Sequence, residues 1–371
     1  MKNNTIEILK QLISIPSWID NKNNEKKIGN WIINFLKNNT SLKIIKQNIG
    51  NGRFNIIALN SKVVNTLITG HIDTVQPNSA WSKKPINSIV AGDKLYGLGS
   101  SDMKCGIAVM LYLTTLSNLS ENTAFLFYCD EEYDFLGMKE FIKKYKNKFK
   151  PKLIISLDGE NLQIENCCRG LIELKISVEG KAGHAARPKS GINAITESMM
   201  VIRKLKSWLI NFKSNELGSS TLNIAYINGG GSEGNIIAEK CEYIIEIRVA
   251  NDKLNANLVN EFVLKESEKL GLKVIGTTIR HDLGSWITDK KALEKVIKIA
   301  PNKKIKKANQ SGYIDIQMLW NIFGKVPTFS FGAGEKGMAH KAGEYVKISN
   351  VLKAQSFFKK ILTKEPLSVV K

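Results

Sequence analysis

The chain has little arginine, no paired cysteine spacing and no apolar run long enough to cross a bilayer, and each shortage closes off a class of function. Only six of its 54 basic residues are Arg. The net charge of +20 therefore does not read as a nucleic-acid surface, which gathers Arg and aromatics on one face. The lysines are dispersed instead, and together with abundant Asn and Ile they read as the solvated surface of a protein from an A+T-biased genome. Cys105, Cys129, Cys167, Cys168 and Cys241 are odd in number and show no spacing of a zinc or redox motif, so reduced thiols are expected. Met1 to Ile15 lacks a basic start followed by an unbroken apolar block. A cytoplasmic, soluble protein without membrane or nucleic-acid partners is the expectation. No internal repeat or low-complexity tail is seen.

What is present suits two domains, one interrupting the other, at 371 residues. Trp31, Ile32, Phe35 and Leu36 have helical spacing. Thr66 to Thr69, Ala124 to Cys129 and Leu153 to Leu157 read as buried strands, separated by helices over Met103 to Leu119 and Phe135 to Tyr145. That alternation predicts an α/β domain whose mostly parallel sheet carries helices on both faces, and such sheets bind ligands beyond the carboxyl ends of their strands. Near Arg169 the pattern changes. Ile172, Leu174, Ile176 and Val178 alternate as in a strand with one wet face, and further strands near Leu222 to Ile227, Tyr243 to Val249 and Leu272 to Ile279 are interleaved with helices over Asn193 to Phe212 and Leu258 to Leu270. This predicts a smaller inserted α+β domain, a four-stranded antiparallel sheet with two helices, over residues 169–283. The larger domain would then comprise residues 1–168 and 284–371, with a returning strand over Val326 to Phe331.

Three of the four histidines lie in glycine- or acid-rich punctuation. A buried carboxylate costs several kcal/mol unless paired or bound to metal, yet one apolar strand after another ends here in acids or histidine: Gly70-His71-Ile72-Asp73, Asp130-Glu131-Glu132, Leu157-Asp158-Gly159. Each piece has a bland reading. His71-x-Asp73 suits a polar turn or a metal ligand with an acid orienting its imidazole. Gly97-x-Gly99 hints at a phosphate loop but lacks the rest of a nucleotide fingerprint and leads to Asp102. Glu131-Glu132 is ordinary surface charge or, after so apolar a strand, a ligand beside a general base. His340 sits in a glycine-rich turn. Together they supply the mixed nitrogen and oxygen ligands and the spare base of a hydrolytic two-metal site.

The order of these motifs over nearly the whole length, with Gly183-His184-Ala185-Ala186-x-Pro188 and Asn193-Ala194 between them, resembles the metallopeptidase and deacylase family of acetylornithine deacetylase, succinyl-diaminopimelate desuccinylase, acetyl-lysine deacetylase and glutamate carboxypeptidase. The resemblance implies that the larger domain is a di-zinc aminopeptidase-like catalytic domain and the inserted one a lid or dimerisation domain. Two divalent ions, zinc with cobalt or manganese as alternatives, would be held by His71 and Asp158 and by Glu132 and His340, with Asp102 bridging. It further implies Glu131 as general base, Asp73 as partner of His71, a cis Asp102–Met103 peptide, and His184 as an oxyanion donor reaching the partner's site in a homodimer built through the inserted domain. Asn235 and Arg248 match positions that hold the substrate carboxylate; an outward salt bridge is the rival reading for Arg248.

Ala238 stands where the family usually has Pro, Glu246 where it has Asp, and Ile314 replaces a common Thr or Ser in Ser311-Gly312-x-x-Asp315. Asp158 and the lack of a Glu-Pro-Thr phrase lean away from a succinylated substrate. The implied activity is removal of an N-acyl group from an amino acid by water activated by metal. A dipeptidase or carboxypeptidase of the same family is the alternative, and a non-catalytic binding protein retaining the fold is a third.

Overall fold

The computed structural model describes residues 4–82, 84–306 and 316–363, so the Ser311–Asp315 stretch lies outside the described residues. Two compact units emerge, one of residues 4–166, 288–306 and 316–363, the other of residues 167–287. The first unit contributes α1 (Thr5–Ile13), α2 (Lys26–Asn39), β1 (Lys43–Gly50), β2 (Arg53–Leu59), β3 (Thr66–His71), α3 (Lys104–Thr114), β4 (Thr123–Tyr128), α4 (Leu136–Tyr145) and β5 (Leu153–Ser156). The second contributes β6 (Gly170–Glu179), α5 (Ala194–Leu209), β7 (Thr221–Gly229), β8 (Lys240–Val249), α6 (Ala256–Lys269) and β9 (Lys273–Leu283). The chain then returns to the first unit with β10 (Thr328–Ser330) and α7 (Ile348–Leu362).

In the first unit the strands lie in the order β1-β2-β4-β3-β5-β10. β4, β3, β5 and β10 run parallel to one another, while β2 runs antiparallel to β4 and to β1. β2 and β4 are buried along their whole length, as unbroken apolar runs covered on both faces should be. α2 buries the stripe Ile28, Ile32 and Leu36. α3 is buried on almost every side and packs against α1, α2 and α7.

Two features differ from the sequence reading or were not foreseen by it. The apolar stretch after Met103 stops being helical at Thr114, because Thr114 and Thr115 turn their hydroxyls onto the carbonyls of Leu111 and Tyr112, offering the backbone an alternative to the next helical bond. The β1–β2 hairpin has no apolar run to announce β1. It turns at Asn51 and Gly52, whose φ of +51° and +73° are the left-handed pair of a tight hairpin turn.

In the second unit the order is β7-β8-β6-β9, every neighbour antiparallel. β8 alternates buried and half-buried residues. Its inward side chains, with those of β6, pack under Val201 and Leu205 of α5 and Val259 and Val263 of α6. Asn193 and Asn255 cap the two helices with their side-chain oxygens. Among the described residues no helix is long and apolar enough to cross a membrane.

Candidate active site

β3, β4 and β5 end at one rim of the parallel sheet, so the polar residues that follow them meet there. His71 closes β3, Glu131 and Glu132 follow β4, Asp158 follows β5, and Asp102 sits just before α3. His340 lies in the turn beyond β10. His71 Nε2 is 3.2 Å from Asp102 Oδ1, and His340 Nε2 is 3.5 Å from Asp102 Oδ2 and 3.0 Å from Glu132 Oε2. Asp102 thus offers one oxygen to each imidazole. Donor atoms of His71, Asp102 and Asp158, of His71, Glu131 and Glu132, and of Asp102, Glu132 and His340 lie within 4.8 Å of one another in each trio.

Local chemistry explains these placements. The Asp102–Met103 peptide is cis, and Asp102 stands at the N-terminus of α3, where helix amides favour a negative charge. Asp158 is set by Ser156, whose Oγ accepts its N–H at 3.1 Å. Here β5 and β10 approach so closely that a Cβ on Gly332 would lie 2.2 Å from the Gly159 carbonyl oxygen, so only glycine fits. The Glu131–Glu132 turn is anchored from both sides. Asp73 Oδ2 accepts the Glu132 N–H at 3.0 Å, while Asp130 Oδ2 accepts from Asp134 at 3.2 Å and Leu136 at 3.0 Å. Asp130 is in turn paired with Arg53, which also binds Glu25.

The cluster is deep at one end and open at the other, with side-chain exposures of 1% for His71, 6% for Glu132, 21% for Asp102 and 54% for His340. Burial disfavours a charged His71, but Asp102 and Asp73 outweigh it and raise its affinity for a proton. Asp102 and Glu132 raise His340 to about 10. Burial would raise Asp102, but His340 and His71 hold it well below the usual carboxylate range; Glu132 is raised by burial and by Asp102. Acids outnumber bases here, so the pocket calls for added positive charge.

The donors fit divalent metal. His71 Nδ1 faces Asp73, 3.2 Å from its carbonyl oxygen and 3.6 Å from Oδ1. That Oδ1 is buried with no other partner. A proton on Nδ1 donates to the Asp73 carbonyl oxygen, with the Oδ1 charge close by, and leaves the Nε2 lone pair directed at Asp102, the tautomer a metal-ligating histidine needs.

His184, Asn235 and Arg248 belong to the second unit. His184 is exposed, and its Nδ1 accepts the Ala186 N–H at 3.1 Å, which leaves Nε2 as the protonated, outward nitrogen. Asn235 is beside it: its carbonyl accepts the Ala185 N–H at 2.8 Å. Arg248 lies at the far end of β8, and its Nε donates to Glu246 at 2.9 Å, the outward pair weighed above. From Lys240 to Arg248 the strand runs about 27 Å at ~3.4 Å per residue. Asn235, in the loop that leads into Lys240, and Arg248 thus lie toward opposite ends of β8. Sequence reasoning missed Arg53, Glu25, Asp130 and Glu344 as supports of the cluster; Asp130 alone carried a signal, as the first acid of its run.

Residues 67–364 match the profile of peptidase family M20/M25/M40. An acetylornithine deacetylase of Buchnera aphidicola is 27% identical over 96% of this chain and 97% of its own length. A succinyl-diaminopimelate desuccinylase of Alteromonas mediterranea is 29% identical over 48% of this chain and 50% of its own. Among solved structures, an M20 family metallo-carboxypeptidase of Sulfolobus solfataricus superposes with a TM-score of 0.76 at 18% identity, covering 95% of this chain and 97% of that one. A dinuclear metal-binding M20 peptidase of Bacillus subtilis gives 0.68 at 15% identity, covering 95% of each.

Proposed function

This chain belongs to peptidase family M20/M25/M40 and is a metal-dependent hydrolase of amide or peptide C–N bonds, and we propose that within that family it removes an N-acyl group from an amino acid. The convergence of His71, Asp102, Glu131, Glu132, Asp158 and His340 at one sheet rim is the observation that carries the reading. Similarity over nearly full length to a relative named acetylornithine deacetylase favours a deacylase over a peptidase.

His71 and Asp158 would hold one divalent ion, Glu132 and His340 a second, with Asp102 between them; zinc is the favoured ion, cobalt or manganese the alternatives. When bound, such ions lower the pKa of water from about 15.7 toward 7 and polarise a carbonyl. Glu131 takes the proton of the attacking water and passes it to the leaving amine. Asp73 keeps the His71 proton on Nδ1. His184 donates a hydrogen bond from its Nε2–H to the developing oxyanion, and Asn235 and Arg248 bind the substrate carboxylate, Arg through its two-pronged fork.

The separation of Asn235 from Arg248 along β8 supports taking them from two copies of the chain, hence a homodimer. Edge strand β7, with Ile224, Tyr226 and Ile227 exposed by 43%, 42% and 42%, supports the second unit as its interface.

A panel of N-acetyl and N-succinyl ornithine, lysine and diaminopimelate beside dipeptides, with added zinc or cobalt, tests the proposal. Preferred hydrolysis of an N-acetyl amino acid supports it. Preference for dipeptides would replace it with a peptidase, and no chelator-sensitive amide hydrolysis at all would end it.

A further inference from the structure

Glu344 is 1% exposed and lies four residues beyond His340, with its carboxylate turned into the loop that carries Asp102. Gly99 N–H donates to Oε2 at 2.8 Å, and the N–H groups of Ser101 and Asp102 donate to Oε1 at 2.7 and 3.0 Å. Its own carbonyl accepts the Gly97 N–H at 3.0 Å. Converging amides of this kind make an anion-binding nest, and charge-assisted bonds to a carboxylate are about twice as strong as neutral ones. Among the described residues, no side-chain cation forms an ion pair with Glu344. The loop can wrap the carboxylate because Gly97 and Gly99 adopt φ of +149° and +78°, conformations that residues with a Cβ rarely take.

Glu344 therefore links two members of the cluster. Its side chain holds Asp102 through that residue's own amide, and its backbone follows His340 through two consecutive turns, Met338–Lys341 and Lys341–Glu344. Glu335, on that same returning segment, adds a second tie by donating its N–H to Ser101 Oγ at 2.7 Å. By contrast, His71 closes β3 and Asp158 follows β5 by two residues, so the ends of buried strands set them.

We infer that Glu344 is a positioning residue: its carboxylate sets the separation of Asp102 from His340, and so the affinity for the ion that Asp102, Glu132 and His340 would share. The inference rests on the two-ion reading above. Groups that orient metal ligands cost about 10–100-fold in metal affinity or activity when removed, and that is the size of effect expected here.

Chelator-stripped protein, titrated with Co²⁺ and followed by the ion's visible absorption, provides a readout independent of turnover. Wild type is expected to take up two ions. Glu344→Gln keeps the shape but turns one acceptor oxygen into an NH₂ group facing an N–H donor; Glu344→Ala removes the clasp. Both variants should retain the wild-type circular dichroism spectrum and one tight ion, bind the second about 10–100-fold more weakly, and lose kcat in step with little change in KM. If Glu344→Ala does not fold, the isosteric Gln variant carries the test. Variants that bind both ions as tightly as wild type, or that lose both ions only in proportion to lost folded protein, overturn the role given to Glu344. Fewer than two ions on wild type overturns the two-ion reading, and the inference with it, before any variant is made.

Discussion

Arg53 lies in a forked contact with Glu25, Nε to Oε2 at 2.8 Å and Nη2 to Oε1 at 2.6 Å, and its Nη2 also reaches Asp130. Glu25 is 1% exposed and its proton affinity is raised by burial, against the pull of Arg53. The triad underpins the turn that carries Glu131 and Glu132. Arg53→Met should destabilise the first unit by about 3–5 kcal/mol, because it strands two buried carboxylates without their cation. Urea denaturation measures this; a loss under about 1 kcal/mol would mean the three charges behave like a surface pair.

Glu131→Gln should leave metal content unchanged while kcat falls by about 10²–10⁴-fold, the usual worth of a general base. Metal analysis beside steady-state kinetics checks it. Normal turnover would remove Glu131 from the chemistry.

His184→Ala should lower kcat by about 10²–10³-fold, the cost of losing one oxyanion donor, with metal content intact. Loss of metal in this variant would show that His184 serves as a ligand instead.

The pH dependence of stability should show Glu266 in the second unit. Lys269 and Lys204 hold its carboxyl down to about 2 from an ordinary 4.5, so the fold favours the ionised form and gains from it most fully above pH 4.5. That gain disappears as pH falls from 4.5 toward 2. Thermal unfolding of Glu266→Gln should therefore lie below wild type at pH 7 and converge with it toward pH 2; a gap that widens in acid contradicts the assignment.

Ile224→Lys places a charge on the exposed edge strand β7, where a lysine must be desolvated before another strand can pair with that edge. Sedimentation should show the dimer proposed for this chain shifted toward monomer. An unchanged sedimentation coefficient, with wild type dimeric, would place the interface elsewhere.

Much of this arrangement was legible in one dimension. Phe125 to Tyr128 could only be a buried strand, and the acids that follow it had to lie at its carboxyl end. The same logic applied to His71 after Thr69 and to Asp158 after Leu157, because parallel sheets are read from unbroken apolar runs and collect polar residues at one rim. Edge elements were harder. β1 mixes Lys43, Lys46, Gln47 and Asn48 with its apolar residues, so its pairing with β2 shows in the Asn51–Gly52 turn rather than in its own pattern. The end of α3 was misjudged because Leu116 and Leu119 continue the apolar run after Thr114 and Thr115 have already turned the backbone.

The sequence by itself determined that His71, Glu131, Glu132 and Asp158 come at the ends of neighbouring strands, since hydrophobic periodicity and residue type are local properties. Only the tertiary structure decided the supports: that Glu344 would be clasped by amides some 240 positions earlier, that Arg53 would sit between Glu25 and Asp130, and that Asn235 and Arg248 would fall at opposite ends of β8. Such partnerships depend on which distant segments share a desolvated space, where an unmatched charge or amide is costly. No spacing along the chain encodes that.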